Sequence, residues 1–144
     1  ASPGIAHHRM TPDPHCFPVR VYYEDTDHSG LVYHANYLKF FERAREHWLG
    51  IELLLKLARE EGIGFVVYRA EVTYREGARF GDELIVRTTG SCESDYRLVL
   101  SQDVLRPGSG KVMVAGRITL VCVDRDSRLT PLPEVVRARF ASAP

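Results

Sequence analysis

The sequence predicts an α+β domain in which a five-stranded antiparallel sheet wraps around one long central helix. Two observations lead to this class: an aromatic-rich apolar stripe at helical spacing in the first third of the chain, and four long β-rich runs after it. Short turn-forming segments separate the last three runs, so those strands are expected to be antiparallel. A lone helix must bury such a stripe, and a sheet that curls around it offers the apolar area required.

Length and composition exclude several other classes. The 144 residues suit one domain, and the hydrophobic fraction of 44% with 26% charged residues is that of a globular chain. Basic and acidic side chains number 19 each, and the resulting zero net charge argues against a dedicated nucleic-acid-binding protein. No apolar run approaches the roughly 20 residues that span a bilayer.

The N-terminal segment indicates where the domain begins, and the cysteines indicate its redox environment. Residues 1–17 are rich in proline and polar residues and lack the apolar stretch of a secretory signal. We therefore predict a flexible arm over residues 1–17 and a single domain over residues 18–144. The three cysteines are odd in number and have no CxxC spacing, which favours neither a full set of disulfides nor a zinc site. A reduced, cytoplasmic and metal-free protein is expected.

The first half of the domain is predicted to hold one strand and the helices. Residues 19–23 are β-branched or aromatic and predict the first strand. The long helix is predicted to begin near Asn36, whose side chain can cap its first turn. A shorter second helix is predicted over residues 51–59, ending near Gly62. The apolar stripe of the long helix consists of Tyr37, Phe40, Phe41, Ala44 and Trp48.

Beyond Gly62 the pattern changes from helices to strands. Ser94-Asp95 and the run Pro107-Gly108-Ser109-Gly110 are typical of hairpin turns. A short terminal helix is predicted over residues 134–140. A single sheet leaves an edge strand, which natural proteins pair or cover, so we expect at least a dimer. The four predicted strands cover residues 65–74, 83–93, 96–106 and 111–124.

The segment between the first strand and the long helix is unusually dense in polar groups. It reads DTDHSGLVYHANY and contains two carboxylates, Asp25 and Asp27, and two histidines, His28 and His34. If strand alternation continues, the two carboxylates point the same way and at least one pKa is raised. The first helical turn also has N–H groups without partners, which can stabilise a negative oxygen. A carboxylate and unpaired N–H donors are two of the features that acyl transfer requires. An acidic loop before a helix is, however, equally typical of a structural turn and helix cap.

The same segment closely resembles the signature of hotdog-fold thioesterases of the 4-hydroxybenzoyl-CoA thioesterase family. The likeness is greatest to the branch found in bacterial Tol–Pal gene clusters. It continues through FFERARE in the helix, GFVVYRAEVTY in the second strand and SQDV in a later strand, and so covers residues 18–140. The spacing from Asp27 through Gly30 to His34 and Tyr37 makes the motif specific.

The resemblance implies a role for each residue of the motif. Asp27 is implied as the catalytic carboxylate, acting either as nucleophile on the thioester carbonyl or as base for a water. The backbone N–H of His34 is implied to bind the thioester oxygen, and the His34 side chain to assist catalysis. Gly30 and Tyr33 are implied to shape the loop, Gly30 because the turn requires a conformation that other residues adopt poorly.

The implied reaction is hydrolysis of an acyl-CoA thioester to a free carboxylic acid and CoA, without a metal or other cofactor. The implied assembly is a homodimer or homotetramer, the homotetramer being common among such relatives. Acyl carrier protein is a further candidate partner. Acyl-chain preference stays open, as do the arginines that bind CoA, for which the strand candidates are Arg69, Arg75, Arg97 and Arg106.

Two other functions fit the same fold. One is a hydratase or dehydratase acting on acyl chains, although the DTD loop before the helix does not resemble the pattern of those enzymes. The other is a non-catalytic protein that binds acyl carrier protein or a cell-envelope complex. Release of free thiol from acyl-CoA distinguishes the thioesterase from both.

Overall fold

Helix α1 (Tyr37–Leu49) packs against an antiparallel sheet in the computed structural model, which describes residues 14–140. A second helix, α2 (Ile51–Lys56), continues into a π-helical turn (Leu57–Glu61), and α3 (Glu134–Phe140) ends the described part of the chain. The strands within these residues are β1 (His15–Arg20), β2 (Gly64–Tyr74), β3 (Glu83–Cys92), β4 (Leu98–Leu105), β5 (Val112–Val123) and β6 (Leu129–Thr130).

The sheet has the order β1-β3-β4-β5-β2, and every neighbouring pair is antiparallel. The hairpins predicted between β3 and β4 and between β4 and β5 are confirmed by these pairings. The two-residue strand β6 pairs with β5 and was not predicted. It forms because the chain turns back at Ser127, whose N–H donates to the carbonyl of Asp124 at 3.0 Å. The α+β class, with a five-stranded path wrapped around a central helix, is confirmed.

The core lies between α1 and the sheet. All five residues of the predicted stripe are buried, with Phe40 and Phe41 fully enclosed. Burial of one such side chain stabilises the fold by about 1.5–3 kcal/mol. The helix approaches β5 so closely that a Cβ on Gly116 would lie 2.9 Å from the Phe41 ring. Trp48 packs edge-on against Phe140, so helix α3 covers the far end of α1.

Strand β1 begins and ends earlier than the sequence predicted. It covers His15–Arg20 rather than residues 19–23, so its first three residues fall within the predicted flexible arm. The error came from treating the proline-rich residues up to Phe17 as a loose segment. A proline is tolerated in β1 because this strand lies at the edge of the sheet and pairs only with β3. Residues 1–13 of the predicted arm lie outside the described residues.

Among residues 14–140, no helix combines the length and the hydropathy needed to cross a membrane.

Candidate active site

The loop after β1 is held to the start of α1 by one buried carboxylate. Asp25 is 4% exposed and ends a single 3-10 turn (Tyr23–Asp25). Its Oδ2 accepts from the Tyr22 N–H at 2.8 Å, and its Oδ1 accepts from the Asn36 side-chain amide at 2.8 Å. Its backbone carbonyl accepts from the Tyr33 N–H at 2.9 Å. Asp25 therefore has a structural role, since its hydrogen bonds satisfy donors on both sides of the loop.

The predicted N-cap role of Asn36 is wrong. Asn36 has helical backbone angles and its side chain makes no capping hydrogen bond. Its amide is instead committed to Asp25, eleven residues earlier in the chain. The helical conformation begins before α1, in a 3-10 turn (His34–Asn36) that leads directly into it.

Asp27 lies on the exposed side of the same loop. Its Oδ1 accepts hydrogen bonds from both the backbone N–H, at 2.8 Å, and the hydroxyl of Ser29. The Asp27 N–H donates to the Leu31 carbonyl, and the Gly30 N–H donates to the Asp27 carbonyl. Gly30 has a φ of +83°, so the predicted need for a residue tolerant of this conformation is confirmed. This tight turn fixes the carboxylate and leaves Oδ2 facing solvent.

The two carboxylates do not point the same way, contrary to the sequence prediction. Strand alternation ends at Arg20, and the 3-10 turn rotates Asp25 inward while Asp27 stays exposed. The pKa of Asp27 is lowered rather than raised, chiefly because the Ser29 hydroxyl and N–H stabilise its ionised form. His34 and His28 lower it further through their charge. Asp27 is thus a carboxylate at neutral pH.

The 3-10 turn at His34 presents unpaired backbone donors. Within residues 14–140, the N–H groups of His34 and Ala35 have no hydrogen-bond acceptor, whereas that of Asn36 donates to the Tyr33 carbonyl at 2.8 Å. Free N–H groups at a helical N-terminus carry partial positive charge and favour anionic oxygen.

Tyr74, at the end of β2, reaches the same turn from the sheet. Its hydroxyl donates to the His34 carbonyl at 2.9 Å. Burial raises the pKa of Tyr74, so the phenol keeps its proton and remains a donor. The His34 carbonyl belongs to the peptide unit that carries the Ala35 N–H, and the Tyr74 hydrogen bond therefore orients and polarises that unit.

Asp27 and His34 line one open cleft of about 350 Å³. Ser29, Tyr37 and Tyr74 also contribute to its walls. The other two residues of the predicted loop lie beside the cleft: Gly30 forms the turn, and the exposed Tyr33 ring packs against the His34 ring at 4.6 Å.

Sequence reasoning missed Ser29 and Tyr74. Ser29 follows Asp27 by two positions. A serine at this distance from an aspartate is a common turn feature, so the sequence alone did not indicate a functional role for it. Tyr74 is separated from His34 by 40 residues in the chain. The only feature that pointed to Tyr74 was its position, as a polar aromatic residue at the end of a strand and directly before a turn-rich segment.

The four arginines proposed for CoA differ in their surroundings. Arg69 forms an ion pair with Glu71 on the same strand, and Arg97 with Glu93 in the turn between β3 and β4. Arg106, just after β4, pairs with Glu76 and Asp82 in the segment between β2 and β3. Arg75 lines the Asp27 cleft and, among the described residues, makes no ion pair. Within the same residues, no three His, Cys, Asp or Glu side chains converge into a group that could hold a metal ion.

An antiparallel sheet wrapped around one long helix is the hotdog fold, and a carboxylate and unpaired N–H groups lie near the start of that helix. Comparison with known proteins agrees with this class. The model of the Thioesterase-like superfamily matches residues 21–140. The acyl-CoA thioesterase YbgC of Haemophilus influenzae is 37% identical over 128 residues, which cover 86% of this chain and 92% of that protein.

Solved structures show the same likeness. A probable thioesterase from Bartonella henselae superposes with a TM-score of 0.76 at 32% identity, covering 83% of this chain and 99% of that one. The 1,4-dihydroxy-2-naphthoyl-CoA thioesterase Slr0204 from Synechocystis superposes with a TM-score of 0.80 at 23% identity, covering 88% and 95%, and supports the fold alone. The chain belongs to the Thioesterase-like superfamily and is a thioester hydrolase.

Proposed function

We propose that this protein hydrolyses acyl-CoA thioesters, with Asp27 as the reacting carboxylate and the N–H groups of His34 and Ala35 as the oxyanion site. The observation that supports this most directly is the shared location of these groups. The ionised Asp27 and His34, whose backbone N–H is unpaired, line one cleft, and the unpaired N–H of Ala35 follows next in the chain. Acyl transfer needs this pair of features: a base or nucleophile, and donors aimed at the oxygen that becomes negative.

In the proposed reaction, the thioester carbonyl oxygen accepts from the two N–H groups. The free Oδ2 of Asp27 either attacks the carbonyl carbon or takes a proton from an attacking water. In the first route a mixed anhydride forms and is then hydrolysed; in the second the acid forms directly. In both routes the C–S bond breaks, CoA thiolate leaves and takes up a proton, and the His34 imidazole in the same cleft is the proposed carrier of that proton.

Several finer assignments rest on the relatives. The similarity to YbgC, an acyl-CoA thioesterase by name, supports CoA as the carrier of the acyl group. Membership of the branch found in Tol–Pal gene clusters is retained as a prediction. The unpaired Arg75 at the cleft is the proposed contact for a CoA phosphate. Action in the cytoplasm, with acyl carrier protein as a second possible acyl donor, is retained as a prediction.

A homo-oligomer is proposed on the basis of the edge strand β2. This strand pairs only with β5, so one side of its backbone has no partner strand among the described residues. Val66, Val67 and Tyr68 on it are 44–57% exposed, although they are large apolar side chains. Pairing of β2 with its copy in a second chain would cover both features. Size-exclusion chromatography with light scattering tests this, with a homotetramer expected and a monomer as the contradicting result.

The test of the activity is a thiol-release assay with acyl-CoAs of aliphatic and aromatic acyl groups. Wild type is compared with Asp27→Asn and with Asp126→Asn, which alters an exposed aspartate in a distant turn. Hydrolysis by wild type and Asp126→Asn, lost in folded Asp27→Asn, supports the proposal. Undiminished turnover by Asp27→Asn contradicts the assignment. Binding of acyl-CoA without turnover by wild type favours the non-catalytic binding role instead.

A further inference from the structure

A second cavity lies towards the other end of helix α1 and shares no lining residue with the Asp27 cleft. Its volume is about 240 Å³, and it lies between α1, α2 with its π-helical turn, and strands β2 and β5. At 1.5 Å per residue, Arg45 in its wall is about 12 Å along the helix from Tyr37 in the cleft. The apolar lining includes Leu49, Leu54, Ile63, Phe65 and Leu120.

Arg45 is the buried charge of this cavity. Its side chain is held by a hydrogen bond from Nη1 to the Gln102 Oε1 at 3.1 Å, and the residue is 7% exposed. The orientation of the fully buried Gln102 is itself determined. Its amide nitrogen donates to the Phe41 carbonyl and to the Thr88 hydroxyl, each at 3.0 Å, so its oxygen must face Arg45. The guanidinium is therefore fixed in place by neutral groups.

Arg45 makes no ion pair among residues 14–140, although the charges of Glu42 and Glu46 favour its charged form from a distance. A guanidinium carries five N–H donors, and among residues 14–140 only the one to Gln102 has an acceptor. Glu42 and Glu46 stand at the mouth of the cavity, but both are exposed and neither makes an ion pair with Arg45. Burial lowers the pKa of Arg45, because the charged guanidinium loses contact with water inside the protein. The remaining guanidinium N–H groups are not sealed in the protein interior, and Arg45 lines the cavity, so a ligand in the cavity can supply an acceptor for them.

We propose that the cavity binds a short aliphatic monocarboxylate, with its carboxylate on the Arg45 guanidinium and its chain against the apolar lining. A planar guanidinium matches a carboxylate through two parallel hydrogen bonds. An apolar cavity of about 150 Å³ admits benzene, so this larger one suits a chain of roughly four to eight carbons. The two glutamates in the lining repel any anion and repel a doubly charged one most strongly, so a single carboxylate is favoured over dicarboxylates and phosphates.

This site goes beyond the proposed hydrolysis, because it lies outside the Asp27 cleft and needs no thioester. A free carboxylic acid is also the class of product that the proposed reaction releases. Binding at Arg45 is nevertheless a separate property, and it is measured without turnover.

The experiment is calorimetric titration of the full chain with hexanoate and with 1-hexanol, its uncharged counterpart. Hexanoate is expected to bind wild type at least about ten-fold more tightly, because charge-assisted hydrogen bonds in an enclosed site are strong. Arg45→Met, which keeps the side-chain volume similar, is expected to lose about ten-fold or more of hexanoate affinity. Arg43→Met removes an exposed charge from the same helix and is expected to leave affinity within about two-fold.

Ala58→Trp provides a second variant that leaves the buried network intact. Ala58 is an exposed residue of the cavity wall, so a bulky side chain there should block entry without altering Arg45. The affinity for hexanoate should fall in Ala58→Trp as well. If Arg45→Met does not fold, the Ala58→Trp variant tests the proposal in its place. The proposal is overturned if hexanoate does not bind, if 1-hexanol binds as tightly, or if hexanoate affinity is unchanged in Ala58→Trp.

Discussion

Two carboxylates stand two positions apart in the same loop, and their surroundings assign them opposite tasks. Asp25 is buried and accepts hydrogen bonds from donors that the fold would otherwise leave unpaired. Asp27 is exposed, lines the cleft, and has one oxygen held by Ser29 while the other accepts no hydrogen bond among residues 14–140. The difference teaches that residue type and spacing do not define a catalytic carboxylate. Unused bonding capacity, facing a space that a substrate can enter, is what distinguishes it.

The largest effect is expected at the exposed carboxylate. Asp27→Asn should lower kcat by about 10²- to 10⁴-fold, because the amide is neither base nor nucleophile. Its melting temperature should stay close to that of wild type, since no buried group loses a partner. Steady-state thiol release and thermal unfolding, measured on the same sample, check both parts. A large loss of stability in Asp27→Asn would remove the contrast between the two residues.

The buried carboxylate should show the reverse pattern. Asp25→Ala leaves the Tyr22 N–H and the Asn36 amide without their acceptor, at a cost of about 3 kcal/mol in the free energy of unfolding. Chemical denaturation measures this cost. Glu24→Ala, at the exposed neighbour in the same 3-10 turn, is the matched control and should change stability by less than about 0.5 kcal/mol. Equal effects of the two substitutions would contradict a structural role for Asp25.

A smaller effect on rate is expected from the strand side of the cleft. Tyr74→Phe removes the hydrogen bond to the His34 carbonyl, so the Ala35 N–H should be less well oriented towards the oxyanion. We expect kcat to fall by about 3- to 10-fold with little change in KM, as for an interaction made in the transition state. Tyr96→Phe, at an exposed tyrosine between β3 and β4, should leave both constants unchanged. A change confined to KM would indicate that Tyr74 contacts substrate instead.

The smallest effect concerns pH. Hydrogen bonds from Ser29 lower the pKa of Asp27, so the carboxylate stays ionised further into the acid range. Under the proposed mechanism, activity should persist over the same range. Ser29→Ala removes the hydroxyl donor, and the folded-state pKa should rise towards its ordinary value. The acid limb of the pH profile of kcat/KM should then move to higher pH. Ser101→Ala, at an exposed serine of β4, is the control, and an unmoved acid limb in Ser29→Ala would show that another group sets it.

Much of the fold was predictable because its signals are local. The buried stripe of α1 follows from spacing alone, and α3 begins at the predicted Glu134 and continues to the last described residue, Phe140. Strands β2 to β5 lie within two residues of their predicted ends. The boundary of β1 was wrong because a proline is read as a strand breaker unless the strand is known to lie at an edge.

The sequence by itself determined the order of the elements and the chemical groups in the loop after β1. Periodicity and turn residues encode these within short windows of the chain. Only the tertiary structure decided that Asp25 is buried on Asn36, that Tyr74 meets His34, and that Arg45 is enclosed beside Gln102. Each of these contacts joins residues 11 to 57 positions apart. Their burial and bonding depend on how the sheet closes around the helix, which no local pattern contains.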